Sequence, residues 1–248
     1  MDTELVIISI LAVALAAGVG YGLQNSANGR RLKRNNQLQQ LLAQASQLIH
    51  DSPNEADFLQ KVCSLICQIQ AVPLAWIGRP DDDGWVTPIA SCGDTSYLDN
   101  VQVSIREDSL AGQGPVGRAW RSGAANFDND ALGNPNFEPW RTAARAHQLV
   151  GVHALPIHCQ GKVDVILVVY FGRKPILDLE SRVLLERLSA DLATGITKIR
   201  EHQYNHRLAT ALSQISEAVF IVDLTGNINW FNDGFLSLFS ISQAEIEG

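Results

Sequence analysis

Cys63 and Cys67 stand four residues apart, a spacing that places them on one face of a helix, where two sulfurs could hold a metal ion or form a redox pair. No second pair at a matching spacing accompanies them. Cys92 and Cys159 stand alone, so all four cysteines are read as free thiols and the pair as small buried apolar side chains. The triplet Asp81-Asp82-Asp83 has the charge to attract a cation, but a calcium loop needs further ligands at fixed offsets. Asp-Gly between two apolar runs is instead what a tight turn requires. Gly112, Gly114 and Gly117 invite a phosphate-loop reading, yet the Gly-Lys-Ser/Thr ending is missing and no ribose-binding acid follows a βαβ unit. These glycines are expected to permit a tight approach of the backbone to the sheet. Gly-x-Ser-x-Gly and His-Glu-x-x-His do not occur, and no cyclase, kinase or hydrolase signature appears in the 248 residues.

The elements that would position these residues follow from periodicity. Ser52-Pro53-Asn54-Glu55 reads as a capping box opening a helix to about Gln70, with Phe58, Leu59, Val62, Cys63, Leu65, Ile66 and Ile69 inward. Val72–Gly78 and Trp85–Ala90 around the acidic turn form a hairpin, and a third strand is expected at Val101–Ile105. A short helix runs through Arg118–Arg121, a short strand covers Ala125–Phe127, and a helix covers Trp140–His147. Leu149–Ile157 and Val163–Phe171, separated by Gln160-Gly161-Lys162, form a second hairpin at the centre of the sheet. An amphipathic helix follows from Asp178 to about Ile199, with Leu179, Val183, Leu184, Leu188, Leu192 and Ile196 inward.

The N-terminal part has a different character. Leu5–Leu23 is an uninterrupted apolar run that would span roughly 28 Å as a helix, about the hydrocarbon thickness of a bilayer. Arg30, Arg31, Lys33 and Arg34 follow it, and only Asp2 and Glu4 precede it. That asymmetry predicts an uncleaved single-pass anchor in the inner (cytoplasmic) membrane, N-terminus outside and the remainder cytoplasmic. From Leu38 to Ile49 a narrow stripe of Leu38, Leu41, Leu42, Ala45, Leu48 and Ile49 in a polar background predicts pairing with a second copy as a parallel homodimer. A net charge of −7 argues against a nucleic-acid surface.

Helix, hairpin, strand, Gly-rich turn, strand, helix, hairpin and helix describe an antiparallel sheet covered by helices. Trp76-Ile77-Gly78-Arg79-Pro80, Gly114-Pro115-Val116-Gly117-Arg118-Ala119, Pro139-Trp140-Arg141 and Ala154-Leu155-Pro156-Ile157 resemble the GAF domains of bacterial membrane signalling proteins, over Asp51 to Ile199. Ser216–Asp223, Gly226-Asn227-Ile228, Trp230-Phe231-Asn232 and Phe235 resemble the opening of a PAS domain, too short to close a pocket. The expectation is that Gly248 is not the natural end, or that the gene product is truncated. The fold class is thus α+β: a transmembrane anchor (1–29), a helical linker (30–51), a GAF domain (52–199), and a signalling helix with an incomplete PAS domain (200–248).

The resemblance implies a ligand pocket between the sheet and the helices over its far face, with Trp76, Phe127, Trp140, Arg141, His147 and His153 as ligand-binding candidates able to stack on or pair with a small molecule. Core packing is the alternative role for the tryptophans, and a surface ion pair for Arg141. Some GAF domains bind haem, which would place His147 or His153 as axial ligand, and the ligand itself stays unnamed. Bilin-binding relatives carry Cys just before His in a helix, whereas His158-Cys159 has the reverse order in a turn. The implied function is the sensory input of a signal-transduction protein, relayed through a dimeric helix reaching about Ser213. Two alternatives stay open. One is the N-terminal part of a diguanylate cyclase, cyclic di-GMP phosphodiesterase or histidine kinase catalysing beyond Gly248; the other is a structural dimerisation module whose pocket is filled by its own side chains.

Overall fold

The computed structural model describes residues 51–69, 72–172 and 179–240, with 40, 43, 44, 47 and 48. The anchor, the basic cluster and most of the linker stripe lie outside the described residues, among which no helix is long and apolar enough to cross a membrane.

The branched and aromatic runs form β1 (Leu74–Pro80), β2 (Val86–Gly93), β3 (Asn126–Asp128), β4 (Gly151–Cys159) and β5 (Lys162–Phe171). They make one antiparallel sheet in the order β2-β1-β5-β4-β3, with the second hairpin at its centre as expected. Around it lie α1 (Glu55–Ile66), α2 (Pro115–Ser122), α3 (Glu138–Ala146) and α4 (Leu179–Ser213). Alternation along the strands gives the sheet two buried faces. Ala75, Ile77, Leu155, Leu167 and Val169 pack with Phe58, Val62 and Ile66 of α1 and Leu188, Leu192 and Ile196 of α4. Leu74, Trp76, Ala154, Val168 and Tyr170 pack on the other side with α2, α3 and the loops before them.

Four charged side chains join the terminal helices to the sheet. Arg200 Nε donates to Glu55 Oε2 at 2.6 Å and its Nη2 to Asp164 Oδ2 at 2.7 Å, while Arg79 Nη2 donates to Glu55 Oε1 at 2.7 Å and Asp164 Oδ2 at 3.0 Å. Beyond this network α4 continues, exposed along most of 201–211. At 35 residues it is about 52 Å long at about 1.5 Å per residue. A hairpin of β6 (Phe220–Val222) and β7 (Ile228–Phe231) and the helix α5 (Asp233–Phe239) follow. Asn232 ties them to α4: Oδ1 accepts from Val219 N at 2.8 Å and Phe235 N at 3.0 Å, and Nδ2 donates to the Leu212, Ile215 and Glu217 carbonyls at 2.9–3.1 Å.

Several expectations are corrected. Cys67 and Cys92 form a disulfide, leaving Cys63 and Cys159 as the free cysteines. Cys67 caps the C-terminus of α1 and Cys92 precedes the last residue of β2, and the packing of α1 on β2 brings their Cα atoms to 6.3 Å. α1 is capped by Asn54, whose Oδ1 accepts from Asp57 N at 2.9 Å, so Ser52 closes no capping box and Glu55 is released to Arg200 and Arg79. Val101–Ile105 is not a strand: a single bridge pairs Trp85 with Ser104. Val183 is 54% exposed, because Leu185 and Leu188 take the inward positions on α4.

Candidate functional site

The sheet face away from α1 and α4 carries an aromatic group with polar tips. Trp76 on β1 and Tyr170 on β5 share this face, since Trp76 pairs with Val168 and Leu74 with Tyr170. Tyr97, in the 3-10 turn Thr95–Asn100, packs edge-on against Tyr170 with ring centroids 5.2 Å apart, and its hydroxyl lies 3.5 Å from that of Tyr170. The far edge of Tyr97 meets His147 at 5.7 Å. His147, at the C-cap of α3, sets Nδ1 2.6 Å from Asp94 Oδ2, and Asp94 also accepts from Ser96 Oγ at 2.6 Å. A line of side chains thus runs from the buried indole of Trp76 through two phenols and an imidazole to a carboxylate at the surface.

The buried end of this line is neutral and its surface end is a carboxylate. Burial pushes the Tyr170 hydroxyl up to about 12, and burial with the neighbouring Tyr170 raises Tyr97, so both phenols keep their protons. Hydrogen bonds from Ser96 and His147 hold the Asp94 carboxyl below its ordinary range. Trp76 Nε1 is buried, and its interaction with the Tyr170 hydroxyl opposes part of the rise that burial causes there. Trp140 closes the face from α3, but its Nε1 donates to Gln102 O at 2.8 Å and is spent on structure. The Cβ that an alanine would add at Gly114 would lie 2.4 Å from the Trp140 ring, and one at Gly117 would lie 2.1 Å from Gly112 O. The glycines therefore permit a close approach to Trp140 and to a neighbouring loop rather than to the sheet. Edge-on ring packing and hydrogen bonding are the contacts that this group makes. It offers no activated nucleophile: the buried Cys63 thiol, on the other face, is pushed up to about 12.

The structure brings together Trp76, Trp140 and His147 of the six candidates. Arg141, next to Trp140, donates from Nη2 to Asn134 O at 3.1 Å, holding the loop before α3. Phe127 and His153 point to the opposite face, where His153 packs between Phe127 and Phe171 and Arg182 lies 5.2 Å over the Phe127 ring. One position decides this, since His153 follows Val152, and successive strand residues alternate in direction. Tyr97, Tyr170 and Asp94 were not singled out from the sequence. Tyr170 could have been, as an even-register neighbour of Ile166 and Val168. A separate groove, lined by Asp51, Ser52, Pro53, Lys198, Ile199, His202 and Gln203, lies where α4 leaves the body of the domain.

A five-stranded antiparallel sheet with its terminal helices on one face and an aromatic, loop-covered second face defines a two-faced, single-sheet α+β domain. The family model for the GAF domain matches residues 52–197, and the chain belongs to the GAF family, a family of signalling and sensory domains. No curated protein matches the chain. Solved structures with the same fold include a free methionine-R-sulfoxide reductase from Neisseria meningitidis in complex with its substrate, at 14% identity and TM-score 0.56, covering 66% of this chain and 91% of that one. The GAF domain of a phosphoenolpyruvate-protein phosphotransferase from Coxiella burnetii aligns at 19% identity and TM-score 0.55, covering 69% and 99%. The NLH2 GAF domain of Aquifex aeolicus, in an inactive state, aligns at 14% identity and TM-score 0.51, covering 67% and 97%. At these identities the likeness shows the fold.

Proposed function

We propose that the chain is the sensory input region of a membrane-anchored signal-transduction protein, in which the GAF domain takes a small ligand or partner on its Trp76 face and relays the change along α4. The observation that carries this reading is that one helix does two jobs: α4 forms the opposite face of the sheet through Leu188, Leu192 and Ile196, then leaves the domain. A ligand that shifts the sheet shifts the helix packed on its back, a two-state element of the kind that signalling proteins bias. The reductase on this fold is solved with its substrate, which supports a small-molecule site on this architecture. Leu5–Leu23 with the basic cluster after it is the anchor, and pairing through Leu38–Ile49 and through exposed Tyr204 and Leu208 makes the parallel homodimer. Ser216–Phe235 opens a PAS domain, and the output is a cyclic di-GMP cyclase or phosphodiesterase, or a histidine kinase. Cysteines placed along Leu38–Ile49 and Arg200–Ser213 in native membranes should cross-link into dimers; failure at both segments would sink the relay.

A second reading rests on the same face. Trp76, Tyr97 and Tyr170 are at most 3% exposed, so the face is filled by its own side chains, as a purely structural dimerisation module would have it. Native mass spectrometry of the gently purified chain separates the two. A bound small molecule lost in Trp76→Ala supports sensing, and its absence supports the structural module.

A further inference from the structure

We propose that Cys67–Cys92 is a reversible redox element that fixes the segment from Cys92 to Tyr97 and thereby the cover over the aromatic face. This rests on the proposed ligand site only for its consequence, because the movement itself is a property of the chain. The disulfide closes a short circuit of backbone. Two residues after Cys67, Ile69 O accepts from Val72 N at 3.1 Å, and Val72 leads to Pro73. Pro73 O accepts from Asp94 N at 2.9 Å, and Gly93 returns the chain to Cys92. Gly93 has φ +86°, and a Cβ there would lie 2.0 Å from Pro73 O, so the two stretches touch backbone to backbone. The sheet ladder ends at this point, with Leu74 paired to Gly93. Beyond that rung, Asp94 N–H is the last backbone tie to the strand before it, the cross-link lies two residues earlier, and Asp94 meets His147 and accepts from Tyr97 N at 3.4 Å in the turn that carries Tyr97.

Both redox states find partners here. Both cysteines are partly exposed, so a small dithiol can reach them. One of its thiolates attacks a cysteine sulfur, the S–S bond breaks and a mixed disulfide forms. Its second sulfur then displaces the protein thiol and the dithiol leaves as a cyclic disulfide, having passed two electrons and two protons to the cysteine pair. The freed Cys92 thiol has an acceptor waiting, since its sulfur lies 2.7 Å from Cys63 O. Gln60 keeps α1 on β2 throughout: Nε2 donates to Ser91 O at 2.8 Å and Oε1 accepts from Ser91 N at 3.3 Å. Reduction therefore loosens the segment after Cys92 and leaves the domain folded.

The test uses the full chain before and after treatment with dithiothreitol, and the Cys67→Ser/Cys92→Ser double variant. Alkylation of the denatured protein should tag the two free cysteines before reduction and all four after it. Backbone hydrogen exchange over 92–97 should rise roughly tenfold on reduction and in the double variant, while 188–199 of α4 keeps its protection. Should the double variant fail to fold, the reduced wild-type chain makes the same comparison. Four tagged cysteines before reduction, or unchanged exchange over 92–97 after it, would overturn the proposal and leave the ligand reading standing. A chain that carries no small molecule but shows the exchange response removes the ligand reading and keeps the redox element.

Discussion

His153 is fully buried, its Nε2–H donating to Asn129 Oδ1 at 3.0 Å and its Nδ1 without a partner. Burial first, and the Arg182 charge second, push its pKa from the ordinary 6.5 down to about 3. Between those values only the unfolded chain takes up the proton, so stability is full above pH 6.5 and falls by about 1.4 kcal/mol per pH unit as the medium is acidified. In urea titrations, His153→Gln should flatten the dependence between pH 6.5 and 4.5; parallel slopes in variant and wild type would refute this role. Gly117→Ala should cost about 1–3 kcal/mol, since backbone atoms of Gly112 and Ser104 cannot give way as a side-chain tip could, and the same titrations measure it. At this scale the sequence was legible where spacing forces an outcome, as at the Asp81 turn, where Oδ1 accepts from Trp85 N at 2.8 Å. It was illegible where strand phase decides. A shift of one position separates His153 from the site, and nothing local distinguishes it from His147.

The terminal helices owe their mutual placement to Glu55, Arg79, Asp164 and Arg200. Burial raises the Glu55 and Asp164 carboxyls, but hydrogen bonds and charge from the two arginines outweigh it and both lie below their ordinary values. Their contribution is therefore complete above about pH 4.5 and is lost as pH falls below it. Glu55→Gln removes one arm of a half-buried network and should cost about 1–3 kcal/mol, less than a fully buried pair and more than an exposed one. Denaturant unfolding at pH 7 and pH 3 checks this: the gap between variant and wild type should close at the lower pH. Asn232→Ala should free the β6–β7 hairpin from the end of α4, read as faster hydrogen exchange at Val219 and Phe235 with the GAF domain unchanged. Helices and hairpins were visible from apolar periodicity, which is why α1, β4, β5 and α4 appeared close to their observed places. Val101–Ile105 has a strand's composition, but Ile105 N to Gly84 O and Val86 N to Val103 O make a single bridge, and Ser104 N turns away to Ala111 O. The disulfide was invisible because its ends lie 25 positions apart in the sequence and only packing of α1 on β2 unites them.

For the whole molecule, the α+β class and the GAF family were within reach of the sequence, because four separated segments carry that pattern in order. Which residues line the aromatic face was only half accessible, since Asp94 and Tyr97 come from a loop with no periodicity to reveal its direction. The exposed stretch of α4 makes its own prediction. Leu208→Glu, at a surface position 44% exposed, should leave the unfolding midpoint of the domain nearly unchanged while lowering the dimer fraction in sedimentation of the full chain. Equal sedimentation in variant and wild type would speak against pairing through this helix. The contact between Glu55 and Arg200 has a further consequence. The chain comes into the domain and goes out of it at a single corner, 2.6 Å apart at the tips of these two side chains. In architectural terms the GAF domain is a closed bight of chain whose two ends are pinned together by Glu55 and Arg200. Another domain whose ends meet at such a corner could take its place without moving either end of the chain.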